Sequence, residues 1–452
     1  MATSIVVCIA AFWGLAWILR RDRISLGLPI AYLFGLLLIH VPGAFAHLVG
    51  GDVLRNSDLT ELGIRFTAIG AVFFVAGAWL ARASPMKVGA QRTADRHRFW
   101  LFCLLGGWFF TYGLSWLGQI PSVGAAIEEG GALWMLGVML GLRAAMTRRD
   151  HLTTAAWLGA LAVYPVLMLL LGGFLSYGSA AAILVLSSLA ISVRSHVRVA
   201  VGILVVALLA FNGFLNYFQH RNDIRDAVWG GAGLGERVDV SLNVVREFQW
   251  FDPSNETQLI SLDQRLNQNY FVGLAASRIA EGEVNYLYGR SLWEGLIALV
   301  PRIVWPDKPV FGGSPKIVAE MTGLVLSEAT SFGVGNVMEF QINFGMPGVV
   351  VGFALLGWLL GTLDRKAALA ERSGDLGRLF LFFLPAAALI RPNGSLVEMA
   401  SGPAAGLVAA YGWKWAWQHW SGQTTVQINT QGSPARKSRA GTRMATPFHR
   451  VR

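Results

Sequence analysis

Residues 154–173 read TAAWLGALAVYPVLMLLLGG, an uncharged run of the length that carries a helix through about 30 Å of hydrocarbon at about 1.5 Å per residue. Similar apolar runs recur near 3–19, 27–49, 62–81, 99–117, 128–146, 178–193, 198–218, 336–363, 376–391 and 395–417. Together they predict an all-α polytopic integral membrane protein of about 11 transmembrane helices.

The composition agrees with that expectation. Of 452 residues, 54% are hydrophobic and only 14% charged, and the mean hydropathy is +0.49. This is too apolar and too sparsely charged for two or three soluble domains of the same total length. The 17 Trp and 26 Phe suit helix faces and water interfaces in a membrane without singling out a site. Cys8 and Cys103 both lie inside apolar runs, where a thiol is a small packing group, so neither a disulfide nor a thiolate-bound metal is expected.

A net charge of +10 raises the question of nucleic acid, and the placement of the cations answers it. No Lys or Arg precedes the first run, while Arg20, Arg21 and Arg23 follow it, which argues against a signal peptide and places the N-terminus outside. Counting alternately from there, the cytoplasmic loops hold Arg82, Lys87, Arg92, Arg96 and Arg98, then Arg143, Arg148 and Arg149, then Arg194 and Arg198, then Arg365, Lys366, Arg372 and Arg378. The short external loops hold only Arg55 and Arg391. Basic residues accumulate on the cytoplasmic side of membrane proteins, so no nucleic-acid partner is expected. The stretch 418–452, with Arg436, Lys437, Arg439 and Arg443, is read as a basic, disordered cytoplasmic tail.

The expected organisation is thus eight helices in 1–218, a large external segment at 219–335, three helices in 336–417, and the tail. Within the external segment, 291–304 (SLWEGLIALVPRIV) is too short to span and is interrupted by Pro301, so it is read as a helix lying at the interface. Directly after it, VPRIVWPDKPVFGG (300–313) combines Arg302 and Lys308 with three prolines and a glycine pair, and Lys316 follows. Proline fixes the backbone and removes a donor, so this is a stiff loop holding cations at a membrane surface. Such cations either grip a lipid-linked diphosphate, to which Arg offers a planar fork and Lys a compact charge, or pair with lipid phosphates and Asp307.

The next stretch, SFGVGNVMEFQINFGMPGVVVGFALLGWLLG (331–361), places Glu339 at the outer end of an apolar run, where a carboxylate implies a partner or a function. Gly348, Gly352, Gly357 and Gly361 recur there at a spacing that allows close helix contact. Arg391 breaks the charge rule at the outer end of another run. His40 and His47, seven apart, share one helix face and are read as packing or hydrogen-bonding groups. No Asp-x-Asp pair, Gly-x-x-x-x-Gly-Lys-Ser/Thr loop or His-Glu-x-x-His motif occurs, which argues against metal-dependent glycosyl transfer, nucleotide hydrolysis and zinc proteolysis.

With these residues in view, 260–363 resembles the Wzy-type polymerases of O-antigen and exopolysaccharide, the oligosaccharide repeat-unit polymerases. Pro301-Arg302, Trp305-Pro306 and Lys308-Pro309 are similar to that family's "PR...WP.KP" signature. Ser331-Phe332-Gly333, Glu339-Phe340 and Asn343-Phe344-Gly345 are similar to its second motif. The resemblance covers about a quarter of the chain and implies a membrane glycosyltransferase of the GT-C type in the bacterial inner membrane, with a periplasmic N-terminus and a cytoplasmic C-terminus. It further implies block-wise polymerisation of undecaprenyl-diphosphate-linked oligosaccharide. A hydroxyl of one repeat unit attacks the anomeric carbon of another lipid-linked chain, and undecaprenyl diphosphate leaves, without metal or other cofactor. Arg302 and Lys308, then Lys316, Arg391 and Arg278, are the expected substrate-binding cations. Glu339, then Asp307, is the expected base, with Arg302 stabilising the leaving charge. Membrane lipid, a chain-length regulator and a flippase are the other expected partners. A polysaccharide ligase, or a lipid-linked sugar flippase or transporter, is the alternative.

Overall fold

The computed structural model describes residues 1–421 apart from 51–52, 55, 82–92, 121–122, 174–175, 194, 301–303, 310–312 and 326–332. Residues 422–452 of the expected tail and Arg302 therefore lie outside the described residues, as do Pro301, Ser331, Phe332 and the cations Arg55, Arg82, Lys87, Arg92 and Arg194, while 418–421, expected to be disordered, complete helix Leu396–Ser421.

Among the described residues every regular element is a helix. Seven are long and apolar enough to cross a membrane: Ala2–Asp22, Leu28–Val49, Ser57–Leu80, Val123–Arg148, His151–Gly172, Val197–Trp229 and Asn336–Ser373. The chain is thus a multi-pass membrane protein, with fewer helices of spanning length and composition than the eleven apolar runs predict. Thr93–Trp108 has only 16 residues before it gives way to a π turn over Phe109–Gly113. Ser176–Ser192 has 17 residues and Leu376–Ala388 has 13. Leu396–Ser421 has 26 residues, but Glu398, Lys414 and His419 dilute its apolar character.

The bundle has two chemically distinct ends. At one, Arg20 donates to the Ala190 carbonyl at 2.5 Å, Arg365 pairs with Asp22 at 2.7 Å, and Arg143 pairs with Glu371 at 3.5 Å. This is the basic end. Asp364, buried in the same layer, accepts from the backbone N–H groups of Leu26 and Leu28 at 3.0 and 3.2 Å, so a side chain 338 residues away satisfies donors at the start of helix Leu28–Val49, which a helix cannot satisfy internally.

At the other end His40 Nδ1 meets Asn269 Oδ1 at 2.7 Å, His47 Nε2 meets Asp263 at 2.7 Å, and the Tyr217 hydroxyl donates to Gly173 at 3.1 Å. Arg391 pairs with Glu129 there at 2.7 Å. The segment 219–335 covers this capped end. It contributes the helices Leu234–Arg246, Glu256–Leu266, Gln268–Ala280, Arg290–Ala298 and Gly313–Thr322. Asn267 and Asn269 of this segment are buried against helices Leu28–Val49 and Ser57–Leu80.

These contacts also show what the shorter helices do. The chain leaves the basic end beside Gly361 at Ala81 and re-enters at the capped end by Glu129, so Thr93–Trp108 and the turns after it run between the two ends. By the same argument Ser176–Ser192 returns from Gly173 to Ala190, and Leu376–Ala388 runs from the level of Glu371 to that of Arg391.

Ser57–Leu80 is the central pillar. A Cβ at Gly63 would strike the Asn269 backbone, one at Gly273 the Leu59 backbone, and one at Gly77 the Ala354 carbonyl. The absence of side chains at these crossings lets backbones approach as small residues do in membrane bundles. Gly357 and Gly361 likewise press on Phe74 and Ala78, whereas Gly348 and Gly352 face Phe340 of their own helix.

Candidate functional site at the capped end

Helix Asn336–Ser373 starts after Gly335, whose φ of +74° suits glycine. Its helical path breaks at Phe344 (φ −144°, ψ 18°) and Gly345 (φ 62°, ψ −145°), with Pro347 just beyond. The break sets residues 336–343 apart as a short upper segment that carries Glu339 and Asn343 one turn apart on one face.

Asn343 fixes this upper stretch to the segment 219–335. Its Oδ1 accepts from Gly289 N–H at 2.9 Å, and its Nδ2 donates to Ser291 Oγ and to the Glu339 carbonyl, each at 2.7 Å. Leu287 N–H donates to the Ile342 carbonyl at 2.8 Å. The helix Arg290–Ala298 is thereby held over Glu339, with Leu292, Trp293 and Leu296 exposed on its outer face.

Glu339 is fully buried. Its Oε2 accepts the backbone N–H of Leu396 at 2.6 Å, the Ser291 hydroxyl stands within reach of the carboxylate, and its Oε1 has no further partner among the described residues. Three helices begin at this point: Asn336–Ser373, Leu396–Ser421 and Arg290–Ala298. Of these, Leu396–Ser421 gives its first N–H directly to the carboxylate, where the positive end of the helix favours a negative charge. The Glu294 and Glu398 carboxylates are near enough to add negative potential.

The turn between Ala388 and Leu396 organises the rest. Asn336 N–H donates to the Pro392 carbonyl at 3.0 Å and its Nδ2 to the Gly394 carbonyl at 2.9 Å, while its Oδ1 accepts from the Tyr32 hydroxyl at 2.6 Å. Ser395 and Glu398 form a capping box, with Glu398 N–H donating to Ser395 Oγ at 3.3 Å and Ser395 N–H to Glu398 Oε2 at 3.2 Å. Arg391, in the same turn, reaches Glu129 at 2.7 Å and Glu128 at 3.3 Å.

Among the described residues none of the expected cations forms an ion pair with Glu339. Arg391 is bound up with two carboxylates. Lys308 Nζ donates to the carbonyls of Ala298 and Val300 at 3.1 and 2.8 Å, satisfying acceptors at the end of helix Arg290–Ala298. Arg278 pairs with Glu283 at 2.7 Å and donates to the Met321 carbonyl at 3.2 Å. Asp307 and Lys316 are exposed.

The sequence reading passes over Glu128, Glu129, Ser291 and the capping box. Ser-x-x-Glu at 395–398, ahead of an apolar run, is a recognised helix-start signal and was legible. Arg290 is also absent from that reading. Glu320 at 2.6 Å raises the Arg290 pKa through their hydrogen bond, fastening helix Arg290–Ala298 to helix Gly313–Thr322. Compared with known protein families, with curated proteins and with solved structures, the chain matches none.

Proposed function

We propose that this protein polymerises oligosaccharide repeat units carried on undecaprenyl diphosphate, with the capped end of the bundle on the periplasmic side of a bacterial inner membrane. Thr93–Trp108, Ser176–Ser192, Leu376–Ala388 and Leu396–Ser421 then also count as crossings, giving eleven in total, an external N-terminus and a cytoplasmic basic end. The clustering of Arg20, Arg143, Arg365 and Arg372 at one end supports that orientation.

The observation that carries the reading is the construction around Glu339. A carboxylate is held where three helices begin, one oxygen anchored by the Leu396 N–H and the other, next to the Ser291 hydroxyl, without a further partner among the described residues, beneath a short helix with an apolar outer face. In the proposed step that helix lifts and the acceptor hydroxyl approaches Glu339. The oxygen attacks the anomeric carbon, its proton passes to the carboxylate, and the bond to the diphosphate oxygen breaks with its electron pair. One displacement inverts the anomeric centre. The departing diphosphate gains charge, which fixed cations stabilise best in a water-poor site. Arg302 is assigned that role.

The test is genetic and chemical. Deleting the gene leaves surface glycans capped with a single repeat. Glu339→Gln does the same at unchanged membrane abundance, because an amide oxygen still accepts from Leu396 N–H, while loss of a general base slows elongation by about 10²- to 10⁴-fold. Glycans of normal length in the deletion strain refute the assignment, and long chains stranded on the lipid point to a ligase instead.

A further inference from the structure

Helix His196–Trp229 has 34 residues, about 50 Å at 1.5 Å per residue, so it overshoots the hydrocarbon. Tyr217 donates to the Gly173 carbonyl, the position at which helix His151–Gly172 stops. The next turn of the long helix therefore stands where hydrocarbon gives way to headgroups. Arg221 occupies that turn, its guanidinium carbon 5.7 Å from the Phe218 ring centroid. Arg265, on helix Glu256–Leu266, brings its guanidinium carbon to 5.2 Å from the same ring. Arg225 lies one turn further along the helix, over the Trp229 ring at 5.0 Å.

Among the described residues no carboxylate lies within ion-pair distance of Arg221 or Arg265. Burial and the neighbouring Arg221 both lower the Arg265 pKa. One phenyl ring thus gathers two like charges from two helices, and nothing described in the protein neutralises them. An anion placed between them would turn that repulsion into attraction.

The adjoining helix says which anion. Leu234–Arg246 turns Val240 and Val244 inward against Ile224 and Val228. It leaves Leu234, Val238, Leu242 and Val245 exposed at 64, 38, 41 and 70%, a spacing that keeps all four on one face. Trp229 and Trp250 flank it, exposed at 60 and 63%. An apolar stripe with exposed indoles, continuous with a membrane span, has the character of an interfacial helix resting among lipid chains.

We infer that Arg221 and Arg265 form a binding site for the phosphate of an anionic phospholipid, whose acyl chains lie against the exposed face of Leu234–Arg246. The two guanidinium forks supply charge-assisted donors to the phosphate oxygens, and the Phe218 ring attracts both cations. The site is independent of the glycosyl-transfer reading.

Thermal unfolding of the full-length protein in neutral detergent, titrated separately with phosphatidylglycerol, phosphatidylcholine and inorganic diphosphate, tests this. Phosphatidylglycerol raises the Tm of the wild type saturably and phosphatidylcholine does not. Arg221→Gln with Arg265→Gln weakens the apparent Kd for phosphatidylglycerol by about tenfold or more, since charged hydrogen bonds contribute about 1.5–3 kcal/mol each. Arg221→Lys with Arg265→Lys keeps both charges but loses the planar forks, and its affinity falls between the two; should the glutamine protein not fold, this variant alone must bind more weakly than the wild type. Equal responses in wild type and folded variants overturn the site. A response to inorganic diphosphate with none to phosphatidylglycerol overturns the phospholipid.

Discussion

Glu129 and Glu339 are both buried at the capped end and are held by different means. Glu129 has the Arg391 guanidinium at 2.7 Å; Glu339 has a backbone N–H and the start of three helices. Removing one partner of a buried ion pair leaves an uncompensated charge, which costs about 3–5 kcal/mol. Arg391→Ala therefore lowers the thermal stability of the purified protein markedly, and adding Glu129→Gln restores most of it. If the single and double variants unfold at the same temperature, the pair is not what holds the 389–395 turn. Glu339 and Arg391 were legible in the sequence because each violates a strong expectation, a carboxylate in an apolar run and a cation on an external edge. Glu129 was not, because a carboxylate at the margin of an apolar run reads as a solvated end until its partner is located. Lys308 was legible as a cation but not as a cap, since its two carbonyl partners, ten and eight residues back, depend on how the intervening turn folds.

Among the elements, helix Asn336–Ser373 shows how far periodicity reaches. The four glycines from 348 to 361 announce close packing, and the structure divides them at the level of their partners. Gly348 and Gly352 serve the upper segment of the same helix, and Gly357 and Gly361 serve Ser57–Leu80. Gly357→Leu drives a side chain into the Phe74 backbone, and overpacking of this kind costs about 1–3 kcal/mol. The expected result is a lower unfolding temperature and faster limited proteolysis, whereas Gly14→Leu, where nothing lies within 4 Å, leaves both unchanged. The break at Phe344 and Gly345 could not be read beforehand, because Gly and Pro are common in membrane helices and a local pattern does not reveal where a backbone leaves its helical path. Helix ends are the weakest part of the sequence reading for a related reason. The run 376–391 looks continuous, yet the helix stops at Ala388 so that Arg391 can turn toward Glu129.

Over the whole molecule, the apolar runs revealed the bundle but not the structure of 219–335, whose helices are short and amphipathic and average out to a polar segment. The two-ended arrangement is open to a direct experiment because Cys8 and Cys103 are buried and give little background. In cells with a permeabilised outer envelope, a membrane-impermeant maleimide labels Asp226→Cys and spares Arg148→Cys; the reverse pattern inverts the orientation. The buried Asp364 also bears on how such a chain is made. The N–H groups of Leu26 and Leu28 leave the ribosome hundreds of residues ahead of the carboxylate that receives them, so the first two helices enter the membrane with their connecting turn unfinished. That turn lacks this acceptor until helix Asn336–Ser373 is synthesised and Asp364 reaches it.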